Sequence, residues 1–262
     1  MSKIHSPISV NKIKYIQSLR QKKFRQKYGS FIVEGEKMAS ELLQSKDIAI
    51  EHLFATPTWL KDHSDAIHST SFPVTPITEK ELSSISALTT PNKVLVIVKS
   101  HQPTLDRETI TTHFSLFLDG VQDPGNMGTI LRIADWFSIP YIFCADSCVD
   151  FHNPKVIQAS MGAFLRTKCM EISFSDLKNE FPALPIYGAV LEGINIYGIQ
   201  HPPKGIIVMG NEGAGISEDI LLQLDHKITI PGGGGAESLN VAIATGIIVS
   251  AFMNIWSQES EA

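Results

Sequence analysis

No stretch of the chain approaches the roughly 20 uninterrupted apolar residues of a membrane-spanning helix, so a soluble protein without a membrane partner is expected. Cysteine is scarce. Cys144, Cys148 and Cys169 are odd in number and lie in apolar surroundings, which favours reduced core thiols over a disulfide framework or a metal site. The histidines are scattered without the close pairing of a zinc site, and no metal is expected. The glycine-rich turn at 210–215 has the order Gly-x-x-Gly-x-Gly and no Lys-Ser or Lys-Thr pair after it, so both the dinucleotide fingerprint and the P-loop are missing. Internal repeats are also lacking, as are low-complexity tracts beyond the four glycines at 232–235.

Acidic residues are absent from the first 33 positions. The chain as a whole carries a formal net charge of −5, yet Lys3, Lys12, Lys14, Arg20, Lys22, Lys23, Arg25 and Lys27 all precede the first acid, Glu34. Local charge is what a polyanion meets. Three readings of this run stand side by side: an RNA contact, a solvated helix face and a mitochondrial presequence. Against the presequence, Ile13, Ile16, Leu19 and Phe24 have the spacing of helix core contacts, and the run feeds directly into the strand-like Ser30-Phe31-Ile32-Val33.

The length allows one large α/β domain or two smaller ones. Residues 1–100 read as a small α/β unit: a basic helix over 9–28 stopping near Gly29, a strand at 31–34, a helix from Glu36 to Gln44, and strands at Ile50–Ala55 and Lys93–Lys99. Residues 101–112, with Pro103 and several Thr, make a linker. Beyond it, strands are expected at 114–121, 141–145, 186–191, 205–210 and 227–231, and helices at 127–138, 155–165, 217–224 and 237–256. Such alternation predicts a mostly parallel sheet with helices on both faces.

Three segments lie where strand-like runs meet helix-like runs, which is where open α/β sheets gather ligands. In Asn126-Met127-Gly128-Thr129-Ile130-Leu131-Arg132, Asn126 is suited to cap a helix that carries Arg132 six residues on. In Gly210-Asn211-Glu212-Gly213-Ala214-Gly215 the glycines let main-chain groups approach a ligand, and Glu212 would repel a phosphate, so a cationic cofactor or an arginine partner fits better. The third segment is Ile230-Pro231 followed by Ser238-Leu239-Asn240, ahead of a long apolar run to Trp256. A capped helix with a surface arginine and a polar helix start are the plain structural alternatives for the first and third segments.

Together the three segments resemble the motifs of the SpoU/TrmH family of RNA ribose 2′-O-methyltransferases, within the knotted, S-adenosylmethionine-dependent SPOUT group. Asn153-Pro154-Lys155 and Ser160-Met161-Gly162 also look like family sequence, and the family's usual Met after the proline is replaced here by Gly232. Phe31-Ile32-Val33-Glu34-Gly35-Glu36 resembles the family's N-terminal substrate-binding domain of ribosomal-protein L30e type, which favours ribosomal over transfer RNA.

The resemblance implies an L30e-like RNA-binding domain over 1–100 and a trefoil-knotted catalytic domain over 113–262. It implies Arg132, Asn126, Glu212, Ser238 and Asn240 as catalytic residues. The adenosyl part of S-adenosylmethionine would lie on Gly210, Ile230, Leu239, Leu191, Asn211 and Gly213. Because a guanidinium stays protonated, Arg132 is expected to stabilise developing alkoxide charge, with Glu212 fixing the arginine. A homodimer burying part of the helix from Ser238 to Trp256 is expected, in the bacterial cytoplasm in preference to a mitochondrion. A transfer-RNA methyltransferase and a non-catalytic RNA-binding assembly factor are the alternatives.

Overall fold

The computed structural model describes residues 7–45, 47–68, 70–199 and 204–260, and side chains as far as residue 253. The chain divides into two compact units, residues 1–101 with 152–165, and residues 102–151 with 166–262. Lys3 and Trp256, singled out from the sequence, fall outside the residues whose side chains are described.

The first unit contains α1 (Val10–Ser18), α2 (Lys22–Tyr28), β1 (Ser30–Glu34), α3 (Glu36–Gln44), β2 (Ile50–Ala55), α4 (Pro57–Asp62), α5 (Ser64–His68), β3 (Val74–Pro76), α6 (Glu79–Ile85) and β4 (Val94–Lys99). Its strands, among the described residues, form a four-stranded sheet in the order β1-β4-β2-β3, parallel between β2 and β3 and antiparallel elsewhere. Both faces are covered. Phe31 and Val33 point to Met38, Ala39, Leu42 and Trp59, while Ile32, Leu95 and Ile97 point to Ile16, Leu19, Leu82 and Ile85. That two-sided burial explains why β1 and β4 are continuous apolar runs without alternation.

The single basic helix expected over 9–28 is two helices. No glycine or proline marks the break. The Arg25 side chain is buried and donates from Nη1 to the Leu19 carbonyl at 2.9 Å, taking up an acceptor at the end of α1 that continued helix would have used. The stop at Gly29 is where it was expected, with φ of 57°, a left-handed conformation that glycine adopts at no steric cost.

Further along the chain come α7 (Arg107–Thr112), β5 (Phe114–Leu118), α8 (Pro124–Trp136), β6 (Tyr141–Cys144), α9 (Pro154–Ser160), β7 (Lys168–Glu171), α10 (Phe174–Glu180), β8 (Ile186–Asn195), β9 (Gly205–Met209), α11 (Glu218–Leu221), β10 (His226–Thr229) and α12 (Val241–Ser260). All but α9, which belongs to the first unit, lie in the second. The described strands β5 to β10 form a six-stranded sheet in the order β10-β8-β9-β5-β6-β7, every pair parallel. This is the parallel α/β sheet with helices on both faces that the alternation predicted. Phe117 of β5 meets Phe174 of α10 on one face, and Phe114 meets Phe252 of α12 on the other.

Several elements differ from expectation. The strand from 114 ends at Leu118, and helix α7 occupies half of the stretch expected to be linker. Strand β7 has no clear signal in the sequence, because Lys-Cys-Met-Glu is short and mixed in character. Helix α12 starts at Val241, where the Asn240 side chain accepts hydrogen bonds from the amides of Ala242 and Ile243. The three cysteines are free and buried, and no helix among the described residues is long and apolar enough to cross a membrane.

Candidate active site

A parallel sheet places the carboxyl ends of all its strands along one edge. From β5 the chain proceeds through α8 to β6 and β7 on one side, whereas β9, the other neighbour of β5, leads away towards β8 and β10. The chain leaving β5 and the chain around β9 therefore run to opposite sides of the sheet, a topological switch point of the kind at which such sheets usually hold ligands.

Asn126 follows β5 and Glu212 follows β9, and the two meet at this switch point: Asn126 Nδ2 donates to Glu212 Oε1 at 2.7 Å. Asn240, ahead of α12, donates from Nδ2 to Asn126 Oδ1 at 2.9 Å. One hydrogen-bonded chain thus joins all three segments. Asn126 is the expected cap of α8, but the cap is Asp123, whose carboxylate accepts the Asn126 amide at 2.8 Å while Pro124 takes the first helical position. Relieved of capping, the Asn126 side chain is available to bridge. The Asp-Pro pair is the legible signal.

Arg132 lies on α8, exposed, and makes no hydrogen bond or ion pair among the described residues. The expected clamp of Glu212 on Arg132 is not formed; Glu212 accepts from Asn126 instead. A guanidinium unpaired in this way keeps its five donors for a ligand. Ser238 is exposed in the loop before Asn240.

The loop after β9 is held from within. Asn211 Oδ1 accepts the amides of Gly213 and Ala214 at 2.9 and 3.0 Å, and its Nδ2 donates to the Gly120 carbonyl at 2.7 Å. The amide of Asn211 donates to the Gly215 carbonyl and that of Gly215 returns the bond, both at 2.9 Å. The missing side chain of Gly210 serves the loop's own closure, since a Cβ there would run into the backbone of Gly215 and Ile216. Asp119, which carries no sequence motif, completes the brace: its amide donates to Met209 O at 2.8 Å and its carboxylate accepts the Ser217 amide at 2.7 Å.

Next along the edge, β8 and β10 change register between Lys227, opposite Gly188, and Ile228, opposite Ile194. The intervening residues of β8 bulge outward, leaving Leu191 73% exposed. Its carbonyl accepts the Thr229 hydroxyl at 2.9 Å, so Leu191 and Ile230 are neighbours. Leu239 is also exposed, and side chains at Gly232 to Gly235 would meet nothing within 4 Å. Exposed apolar residues beside open main chain suit an adenosyl group. The Glu212 carboxylate has the wrong sign for a nucleotide phosphate and the right sign for a sulfonium.

Residues 113–250 match the SpoU rRNA Methylase family model, and residues 10–96 match the MRM3-like substrate binding domain. A 23S rRNA (guanosine-2′-O)-methyltransferase of Bacillus subtilis, RlmP, is 30% identical over 91% of this chain and 94% of its own. Among solved structures, an RNA methyltransferase of the TrmH family from Porphyromonas gingivalis is 36% identical, covering 94% of this chain and 98% of that one with a TM-score of 0.84. An AdoMet-bound rRNA methyltransferase from Sinorhizobium meliloti is 26% identical, with 96% and 97% coverage and a TM-score of 0.85. With the family model spanning more than half its length, this chain belongs to the SpoU rRNA methylase family.

Proposed function

We propose that this protein transfers the methyl group of S-adenosylmethionine to a ribose 2′-hydroxyl in RNA, ribosomal RNA in preference to transfer RNA. The observation that carries this reading is the Asn240–Asn126–Glu212 chain, which ties the three motif segments into one cluster, with the unpaired Arg132 six residues beyond Asn126 on α8. The family membership and the names of the relatives support it.

When bound, the cofactor supplies an electrophilic methyl group on a sulfonium centre. Leu191, Ile230 and Leu239 offer apolar walls for its adenosyl part, and the loop from Gly210 to Gly213 offers main chain. Asn211 acts by holding that loop, because both ends of its amide are already engaged. Arg132 stabilises negative charge developing on the ribose oxygen and orients a neighbouring phosphate. Asn126 and Asn240 fix the direction of Glu212, and Ser238 adds a hydroxyl to the same loop.

The reading includes the division into an RNA-binding domain over 1–100, a linker over 101–112 and a knotted catalytic domain over 113–262. It also includes action in the bacterial cytoplasm as a homodimer. On α12, Val241, Ala242, Ile248, Val249 and Phe252 are buried, whereas Ile243 is 57% exposed. A second copy would cover that uncovered face, repeating the same patch on both subunits. Light scattering at micromolar concentration is expected to give a dimer, and a fully active monomer would remove this part of the reading. The chemical part is tested by incubating the protein with labelled S-adenosylmethionine and separate ribosomal and transfer RNA pools. Label in ribosomal RNA is expected. Label in transfer RNA alone would replace the substrate, and cofactor binding with no transfer to either would favour the non-catalytic assembly factor.

A further inference from the structure

Helix α2 carries a surface that the methyl-transfer site does not use. Phe24 and Tyr28 are four residues apart and so leave the helix on one face. Their rings lie 6.2 Å apart with an interplanar angle of 13°. Tyr15 of α1 meets Tyr28 edge-on, with centroids 5.0 Å apart at 82°, and is itself held by its hydroxyl, 3.0 Å from Glu51. Ring planes at the surface are therefore fixed in advance. Tyr28 is 39% exposed and Phe24 half-buried.

Ammonium groups surround these rings. Lys23 Nζ lies 4.9 Å from the Phe24 centroid, Lys27 Nζ 5.4 Å from that of Tyr28, and Lys12 Nζ 5.1 Å from that of Tyr15. The nearby carboxylate, Glu51, is taken up by Lys99 at 2.9 Å, with Lys12 at 3.9 Å. A solvated helix face needs lysines and no aromatic rings, and a core pair needs rings and no lysines. Flat rings of fixed plane among cations suit an unstacked nucleobase, which offers a π-face for stacking and a phosphate for the ammonium groups. An acidic peptide would use the lysines and leave the ring faces without a purpose.

We infer that Phe24 and Tyr28 form a stacking platform for an unpaired nucleotide of the RNA substrate, with Lys23 and Lys27 on its phosphates. This rests on the RNA-methylating reading above and adds a base contact to it. Nothing in the platform depends on which base is presented, because every base has a π-face.

The full-length protein is titrated with a fluorescently labelled single-stranded oligoadenylate and with an abasic strand of equal length, each at several salt concentrations. Replacing both rings by leucine (F24L with Y28L) keeps apolar volume and removes the π-faces. This pair is expected to weaken oligoadenylate binding by about fivefold to a hundredfold while leaving the abasic strand and the salt slope unchanged. Alanines at Lys23 and Lys27 are expected to weaken both probes and flatten the slope. Equal loss on both probes in the leucine pair, or no loss on either, overturns the platform. Should the leucine pair not fold, ultraviolet cross-linking of the wild-type protein to oligoadenylate decides, and adducts that map to neither Phe24 nor Tyr28 overturn it. Methyl transfer to ribosomal RNA by the wild-type protein is measured on the same preparation. Its absence defeats the enzymatic reading, whereas its presence with an unchanged leucine pair defeats the platform alone.

Discussion

Arg25 and Glu34 of the first unit and the motif residues of the second put polar side chains to different uses. In the first, Arg25 and Glu34 are drawn inside: Arg25 closes the end of α1, and Glu34 accepts from the Ser86 hydroxyl and, at 2.8 Å, from the Ala87 amide. Burial pushes the Glu34 carboxyl up, against the opposing pull of those hydrogen bonds and of Arg20. In the second unit the half-buried Asn126 and the exposed Glu212 and Asn240 are bonded to one another after β5, after β9 and ahead of α12, and the exposed Arg132 of α8 makes no hydrogen bond or ion pair among the described residues. Polar groups that the fold consumes are buried and satisfied, whereas polar groups kept for a ligand are preorganised and left open. Charge in the sequence alone does not separate the two kinds. Arg25 stands in a run of lysines yet is not available to RNA.

The widest break in this comparison comes from Arg132. Arg132→Ala is expected to lower single-turnover methyl transfer by about 10²- to 10³-fold, with cofactor affinity by calorimetry and the unfolding midpoint nearly unchanged. Arg132→Lys should restore little, since one ammonium cannot reproduce a planar fork of donors. Full activity in the alanine variant would place Arg132 among ordinary surface residues.

Arg25→Ala should show the opposite pattern. Loss of a buried donor leaves the Leu19 carbonyl unpaired and is expected to cost about 1–3 kcal/mol in urea unfolding. The salt slope of RNA binding should stay as it is, and a flattened slope would mean that Arg25 reaches the nucleic acid after all. Alanines at Lys23 and Lys27 sharpen the contrast, with near-native stability and a slope reduced by roughly 0.7 for each phosphate of a single strand that is no longer neutralised.

A pH-dependent effect concerns His52, whose ring stacks on Phe54 at 4.2 Å and lies 2.8 Å from the Thr75 hydroxyl. Burial, with Lys12 adding to it, lowers its pKa from the ordinary 6.5 to about 4. A depressed folded pKa means that the unfolded chain takes the proton first. Its contribution to stability is full above about 6.5 and is lost as pH falls towards about 4. Unfolding midpoints of wild type and His52→Gln across this window should converge on acidification, and parallel curves would exclude the linkage.

Legibility in the sequence divides along the same line. The alternating parallel unit and the positions of Asn126, Glu212 and Asn240 are readable because apolar runs mark strands and local turn chemistry marks the loops that leave them. The bond from Asn126 to Glu212 is not, because it joins residues far apart in the chain whose meeting depends on strand order. Nor is the outward bulge of β8 that exposes Leu191, which is a change of register and not of composition. Asp123 is legible as the residue before Pro124, although Asn126, a residue type equally suited to capping, draws the cap assignment away from it. The burial of Arg25 has no local signal at all.

The most direct measurement is the chemical position of the transferred methyl group. Ribosomal RNA from cells lacking this protein is incubated with it and labelled S-adenosylmethionine, then digested to nucleosides and separated by mass spectrometry. Label in a single 2′-O-methylated nucleoside, absent when Arg132→Ala replaces the wild type, is the expected result. Label on a base, or equal ribose labelling by the Arg132→Ala variant, would contradict the assignment of this exposed edge to ribose methylation.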